Sequence, residues 1–259
     1  MTGIERGTVY LVGAGPGSLD LLTLRAHNLI SSASCILHDD LVSAEILSLA
    51  SPHVLVRNVG KRCGEKTITQ EEINEWMIHY AQAGHSVVRL KSGDPLLFGR
   101  AAEEIEALTH ASIPFEIVPG ISAGFAAAAL AGLPLTGRIT SSRVLFATRH
   151  LAAGATNGLA GITPEVSLVL YMPGKDYAAI AAELNANGWS AETRCVVVSF
   201  LGTASQQLET CILRDLPNIT RMPSPVLMLF FAAEKNANES NEQSRSEQEE
   251  EIDRGEAVL

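Results

Sequence analysis

Residues 91–99, Lys-Ser-Gly-Asp-Pro-Leu-Leu-Phe-Gly, set a Ser92-Gly93-Asp94-Pro95 turn between the apolar run Val87-Val88-Arg89-Leu90 and a segment of helical spacing, Arg100 to Leu108. Such a turn at the carboxyl end of a parallel strand suits small-molecule binding, because strand ends and helix starts leave backbone polar groups free. Gly93 admits close approach to the backbone. Asp94 can cap the next helix, with Pro95 preset at its first position. An ordinary β-to-α turn has the same composition. Gly13-Ala14-Gly15-Pro16-Gly17 ends a second apolar run, Thr8–Val12. It is too short, and Pro16 makes it too stiff, for the dinucleotide fingerprint Gly-x-Gly-x-x-Gly. Its glycines imply close approach by a ligand or by another stretch of backbone. Asp39 ends the run Cys35-Ile-Leu-His38, where a carboxylate either faces a cleft or caps the strand. Lys61 lies in the glycine-flanked loop Val59-Gly-Lys-Arg-Cys-Gly64. Drawn together, Asp39 and Lys61 would supply proton transfer or substrate anchoring; apart, Lys61 is a solvated charge. Arg138, Arg143 and Arg149, with His150, suit a solvated face or a polyanionic small molecule.

These residues need elements to position them. The first half alternates strand and helix patterns: strand 8–12, helix 19–32, strand 35–38, helix 43–50, strand 54–56, then a helix opened by the capping box Thr69-x-x-Glu72 with Ile73, Met77, Tyr80 and Ala81 on one face. Strand 87–90, helix 99–109 and strand 115–118 follow. This βαβα order predicts an α/β fold with a mainly parallel first sheet. Pro119-Gly120 breaks the pattern, so residues 1–118 are expected to form one α/β domain, 119–124 a hinge and 125–233 a second. Ser122 can cap a helix over 123–131. Strands near 143–148, 166–172, 195–200, 207–213 and 226–231, with a helix over 176–187 ending at Asn187-Gly188, predict a mixed second sheet.

Composition sets further bounds. The chain is 46% apolar and carries a net charge of -10. From Glu234 onward nine acids face three bases, so residues 234–259 hold six of those ten negative charges. With almost no apolar residues, that tail is expected to be disordered. The body, at about -4, offers no basic face for nucleic acid. The four cysteines (Cys35, Cys63, Cys195, Cys211) show no Cys-x-x-Cys or zinc spacing. They read as reduced thiols of a cytoplasmic protein, with no metal site. No stretch has the length and apolarity of a membrane span, and the N-terminus has no signal-peptide core.

Several motifs in order resemble the tetrapyrrole (corrin/porphyrin) methylase family, most nearly its uroporphyrinogen-III C-methyltransferases. They are Val9-Tyr-Leu-Val-Gly-Ala-Gly-Pro-Gly17, Leu21–Ala26, Asp39 with Leu41–Leu47, Val59-Gly-Lys-Arg62, Gln70–Asn74, Val88-Arg-Leu-Lys-Ser-Gly-Asp-Pro95, Phe98-Gly-Arg100, Val118-Pro-Gly-Ile-Ser-Ala123, Gly132–Thr136, Leu170-Tyr-Met172 and Ser224-Pro225. The resemblance covers residues 8 to about 231. It implies two α/β domains with the active-site cleft between them, a homodimer, and methyl transfer from S-adenosyl-L-methionine, leaving S-adenosyl-L-homocysteine. By motif, donor binding falls on Pro16, Ser92, Gly93, Asp94 and Leu97, and on Ser122, Ala123, Met172 and Gly202. Asp39 matches the family's proton acceptor and Lys61 its proton donor. The substrate is a tetrapyrrole rich in carboxylates, which gives Arg62, Arg100, Arg138 and Arg143 a role as its partners.

The chain departs from the family pattern in places. Ser92 stands where glycine is usual, His38 where tyrosine is, Cys63 where alanine is, Gly137 where histidine is expected, and Arg149 before His150 where glycine is expected. These changes keep open a later precorrin methylase or a ribosomal-RNA methylase of the same fold, and a non-catalytic donor-binding module. No segment matches the dehydrogenase/ferrochelatase half of fused sirohaem synthases, so later steps are expected on separate enzymes.

Overall fold

In a computed structural model, residues 7–60, 68–138, 141–149 and 159–232 are described. Lys61, Arg62, Cys63, His150 and the acidic tail lie outside the described residues.

The first sheet is built from five short strands rich in apolar residues. They are β1 (Val9–Gly13), β2 (Cys35–His38), β3 (Leu55–Asn58), β4 (Val87–Lys91) and β5 (Phe115–Val118), ordered β3-β2-β4-β1-β5. Every pairing in this sheet is parallel. Strands buried on both faces need apolar residues at successive positions, which is why β1, β2 and β4 read as continuous runs rather than alternations. Their alternating side chains serve two cores. Tyr10, Val12, Ile36, Val88 and Leu90 pack on α1 (Leu24–Ser32) and α2 (Ala44–Leu47). Val9, Leu11, Leu37 and Val87 pack on α3 (Gln70–Gln82) and α4 (Ala101–His110). The capping box at Thr69 forms in full: its hydroxyl accepts from Glu72 N, and Glu72 accepts from Thr69 N.

Helix 19–32 is interrupted. A 3-10 turn covers Leu19–Leu21, Leu22 is extended, and α1 starts only after Thr23, whose hydroxyl accepts from Ala26 N. A threonine at that position competes for the backbone and restarts the helix.

The second sheet orders β6 (Val144–Thr148), β7 (Ser167–Tyr171), β8 (Arg194–Ser199), β9 (Gln207–Ile212) and β10 (Val226–Phe230) as β6-β7-β10-β8-β9. β6 runs parallel to β7 and β10 antiparallel to it, so the sheet is mixed, as expected. α5 (Ala123–Ala131) and α6 (Tyr177–Ala186) complete the elements. The chain divides into two compact units. One runs to Ala131 and takes in Val198–Leu208 and Met222–Pro225; the other comprises Gly132–Val197, Glu209–Arg221 and the chain from Val226.

Candidate functional site

β1 and β4 are neighbours, yet α1 follows β1 on one face of the sheet and α4 follows β4 on the other. Their carboxyl ends therefore form a topological switch point, where parallel α/β sheets bind ligands. Here Ala14 N donates to Lys91 O at 2.7 Å, and Gly15 and Gly93 exchange two hydrogen bonds of 2.7 and 3.1 Å. The turn after β5 closes against them: a β-carbon on Gly13 would lie 2.5 Å from Gly120 N and 2.7 Å from Gly93 O. Gly13 thus serves backbone-on-backbone packing. Gly93 differs. Its φ is +69°, and a β-carbon there would meet nothing nearer than Ala123 N at 3.9 Å, so its open side faces the start of α5.

Asp94 does not cap α4. Pro95 to Gly99 turn first, and α4 opens at Ala101 with Arg100 as its N-cap in the left-handed region (φ 57°). The Asp94 carboxylate instead accepts from Leu96 N at 2.9 Å and from Gly120 N at 3.0 Å, tying the β4 turn to the β5 turn. Leu97 N reaches Asp94 O. Ser122 is buried and caps α5, its hydroxyl accepting from Gly124 N at 3.3 Å. Pro16 and Gly202 also meet, since a β-carbon on Gly202 would lie 3.1 Å from Pro16 O. Pro16, Ser92, Gly93, Asp94, Leu97, Ser122, Ala123 and Gly202 all belong to the first unit. Met172 belongs to the second, directly after β7, half-exposed and left-handed at φ 48°.

Asp39 follows β2 directly, its backbone N donating to Leu90 O on β4. Its carboxylate meets Arg89, whose Nη2 donates to Oδ1 at 2.5 Å. Arg89 Nε donates to Glu104 Oε1 at 2.9 Å, and Lys91 Nζ to Glu104 Oε2 at 2.8 Å. Gln70 Nε2 adds a 3.4 Å contact to Glu104 Oε1. Arg89, Lys91 and Glu104 are buried, whereas the Asp39 side chain is 29% exposed. Burial opposes the Arg89 charge, but the Asp39 and Glu104 carboxylates outweigh it and raise its pKa. Burial, and then the Arg89 charge, hold the Lys91 ammonium below its ordinary range. This cluster was missed in the sequence; its signal is two bases at i, i+2 in a strand whose neighbours are all buried.

Of the arginines expected to meet substrate carboxylates, Arg62 lies outside the described residues, and the others belong to two units. Arg100 pairs with Glu103 at 2.6 Å, which raises its pKa. Arg138 and Arg143 are exposed and belong to the second unit, where Arg143 pairs with Glu165 at 2.7 Å and Arg149 with Glu183 at 2.5 Å. Phe98, Arg100, Met172 and Phe200 all carry positive φ. Phe98, Arg100 and Phe200 lie in loops of the first unit and Met172 in a loop of the second, and strained backbone of this kind is often kept where a loop serves function.

The Tetrapyrrole (Corrin/Porphyrin) Methylases family matches residues 8–217 of this chain. The siroheme synthase of Pseudomonas fluorescens (strain Pf0-1) is 42% identical over 218 residues, 83% of this chain but 47% of that protein. The chain thus spans about half the length of the curated relatives it matches. A uroporphyrin-III C-methyl transferase from Thermus thermophilus, solved with S-adenyl homocysteine, is 34% identical with a TM-score of 0.75, covering 86% of this chain and 96% of that one. A cobalt precorrin-4 methyltransferase of cobalamin biosynthesis is 27% identical, also with a TM-score of 0.75, over 86% of this chain and 94% of that one. With the family match running through both sheets, from β1 to the segment after β9, the chain belongs to the tetrapyrrole (corrin/porphyrin) methylase family.

Proposed function

We propose that this chain transfers methyl groups from S-adenosyl-L-methionine to carbons of uroporphyrinogen III, forming precorrin-2, a step on the routes to sirohaem and cobalamin. The observation that carries the reading is the switch-point cradle: the open side of Gly93 faces the start of α5, one strand away from the anchored Asp39 carboxylate. The open side of Gly93, with Ala123 N the nearest atom across it, leaves room for a ligand to approach the backbone closely, as an adenosyl amino acid would. The T. thermophilus relative solved with S-adenyl homocysteine supports the same choice of donor.

S-adenosyl-L-methionine supplies an electrophilic methyl on its sulfonium and departs as S-adenosyl-L-homocysteine. The nucleophile is an electron-rich carbon of the macrocycle, so the protein needs no nucleophile of its own. Its residues hold the reactants in line and manage the proton that the methylated carbon must lose. Pro16, Ser92, Gly93, Leu97, Ser122, Ala123, Met172 and Gly202 are the donor contacts in this reading. Asp94 holds the β4 and β5 turns in register for them. Asp39 accepts the proton at its carboxylate and Lys61 returns one. Arg62, Arg100, Arg138 and Arg143 receive substrate carboxylates, for which Arg100 exchanges its Glu103 partner. Buried free Cys35 and Cys195 support a reducing, cytoplasmic setting, and a homodimer is the assembly proposed with this reading.

Anaerobic incubation with uroporphyrinogen III and the donor, followed by product mass, tests this. Methylated product is the expected result. Methylation of a precorrin but not of uroporphyrinogen III would favour the second reading, a precorrin methyltransferase, which the equal TM-score of the cobalt precorrin-4 enzyme supports. Donor binding with no turnover on either would leave a binding module. Asp39→Ala should lower turnover by about 10²–10⁴-fold while donor affinity, measured by calorimetry, holds within a few-fold.

A further inference from the structure

Taking Asp39 as the group at the reacting centre, we propose that Arg89 and Glu104 are positioning residues that set the orientation of its carboxylate. β4 alternates strictly, so Arg89 and Lys91 project to the same face as Val87, towards α3 and α4. Glu104 on α4 meets both, one carboxylate oxygen to Arg89 Nε and the other to Lys91 Nζ. That pairing fixes the plane of the guanidinium. Nη1 then donates to Leu90 O at 3.3 Å, and Nη2 is left aimed at Asp39. Guanidinium geometry is rigid, so holding two of its nitrogens determines where the third points. Of the four charged groups, only Asp39 reaches solvent. The cluster is a buried bracket with one working end.

Stability alone does not account for it. A guanidinium, an ammonium and a carboxylate taken out of water are usually no better than apolar residues of the same volume. Valine or leucine at 89 and 91 would continue the apolar run of the strand. What the charges add is a fixed direction for a half-exposed carboxylate at a strand end, and Asp39 is the residue whose direction they fix.

Arg89→Lys keeps the charge, but a single ammonium cannot span Glu104 and Asp39. Glu104→Gln keeps the volume and releases the guanidinium. Both variants should lower the turnover of uroporphyrinogen III by about 10²-fold, with the Kd for S-adenosyl-L-homocysteine by calorimetry within about two-fold of the parent. Asp39→Asn/Arg89→Lys should be no slower than Asp39→Asn alone, a result that general loosening of the fold would not produce. Parental turnover in Arg89→Lys or Glu104→Gln beside a slow Asp39→Asn would overturn the positioning role and leave Asp39 in place. Losses that multiply in the double variant would overturn it too, because Arg89 would then act independently of Asp39. A fully active Asp39→Asn would instead overturn the underlying reading. If Arg89→Lys does not fold, Glu104→Gln and Asp39→Asn/Glu104→Gln carry the same comparison.

Discussion

Gly93 and Gly120 are two glycines of adjoining turns with opposite requirements. A β-carbon on Gly120 would collide with Gly93 O and with the Gly13 backbone, which nothing short of a main-chain shift relieves. Gly120→Ala should therefore destabilise the protein by about 1–3 kcal/mol through overpacking, seen as a lower melting temperature. Gly93→Ala meets open space and costs only its left-handed φ, about 1–2 kcal/mol. Its main effect should be on donor affinity, a tenfold or larger rise in the Kd for S-adenosyl-L-homocysteine. Unchanged affinity would mean that the open side of Gly93 is not where the donor lies. The sequence could announce glycines at both turns but not this division of labour. The collision at Gly120 depends on three strand ends meeting, and nothing local to Val118-Pro-Gly records it. Asp94 was misread for the same reason: its helix-capping chemistry is real, but Gly120 N and Leu96 N lie nearer than the start of α4.

At the scale of elements, the strands and helices were largely legible because each repeats its own period. Thr69-x-x-Glu72 marked the start of α3, and the alternation of strand and helix patterns marked the first sheet as mainly parallel. The ionic cluster escaped because charged residues are rarely buried without partners, and the partner, Glu104, is supplied by tertiary packing of α4. β2 holds a group whose behaviour can be measured directly. Cys35 is fully buried beneath α3, and burial pushes its thiol up to about 11 from an ordinary 9.0. Between those values the unfolded chain has lost the proton that the folded chain keeps, so stability contributed by the neutral thiol falls as pH rises. Relative to Cys35→Ala, the parent should lose about 1.4 kcal/mol of unfolding free energy between pH 8 and pH 10. Denaturant titrations of both proteins under reducing conditions would measure the difference; parallel pH dependences would mean that the thiol ionises as freely folded as unfolded.

For the whole molecule, alternation of elements was enough to foresee a parallel sheet followed by a mixed one. It was not enough to foresee that the first unit draws on Val198–Leu208 and Met222–Pro225, because the fit of Gly17 to Leu201 and Gly202 is a long-range contact without a local signature. The acidic tail is a simpler case. With nine acids and few apolar residues it has little to bury, so deleting 234–259 should leave turnover and melting temperature unchanged. A marked fall in melting temperature on truncation would show that it docks.

The returning segments set a schedule for synthesis. β1 to β5 can pair as soon as Val118 has emerged, but the piece that packs on Pro16 and Gly17 is translated about 70 residues after α5 ends, some seconds later at ribosomal rates. For that interval the nascent sheet carries a Gly-Pro-Gly rim with no counterpart, so the donor contacts proposed at Pro16 and Gly202 would be completed late in translation rather than with the sheet that frames them.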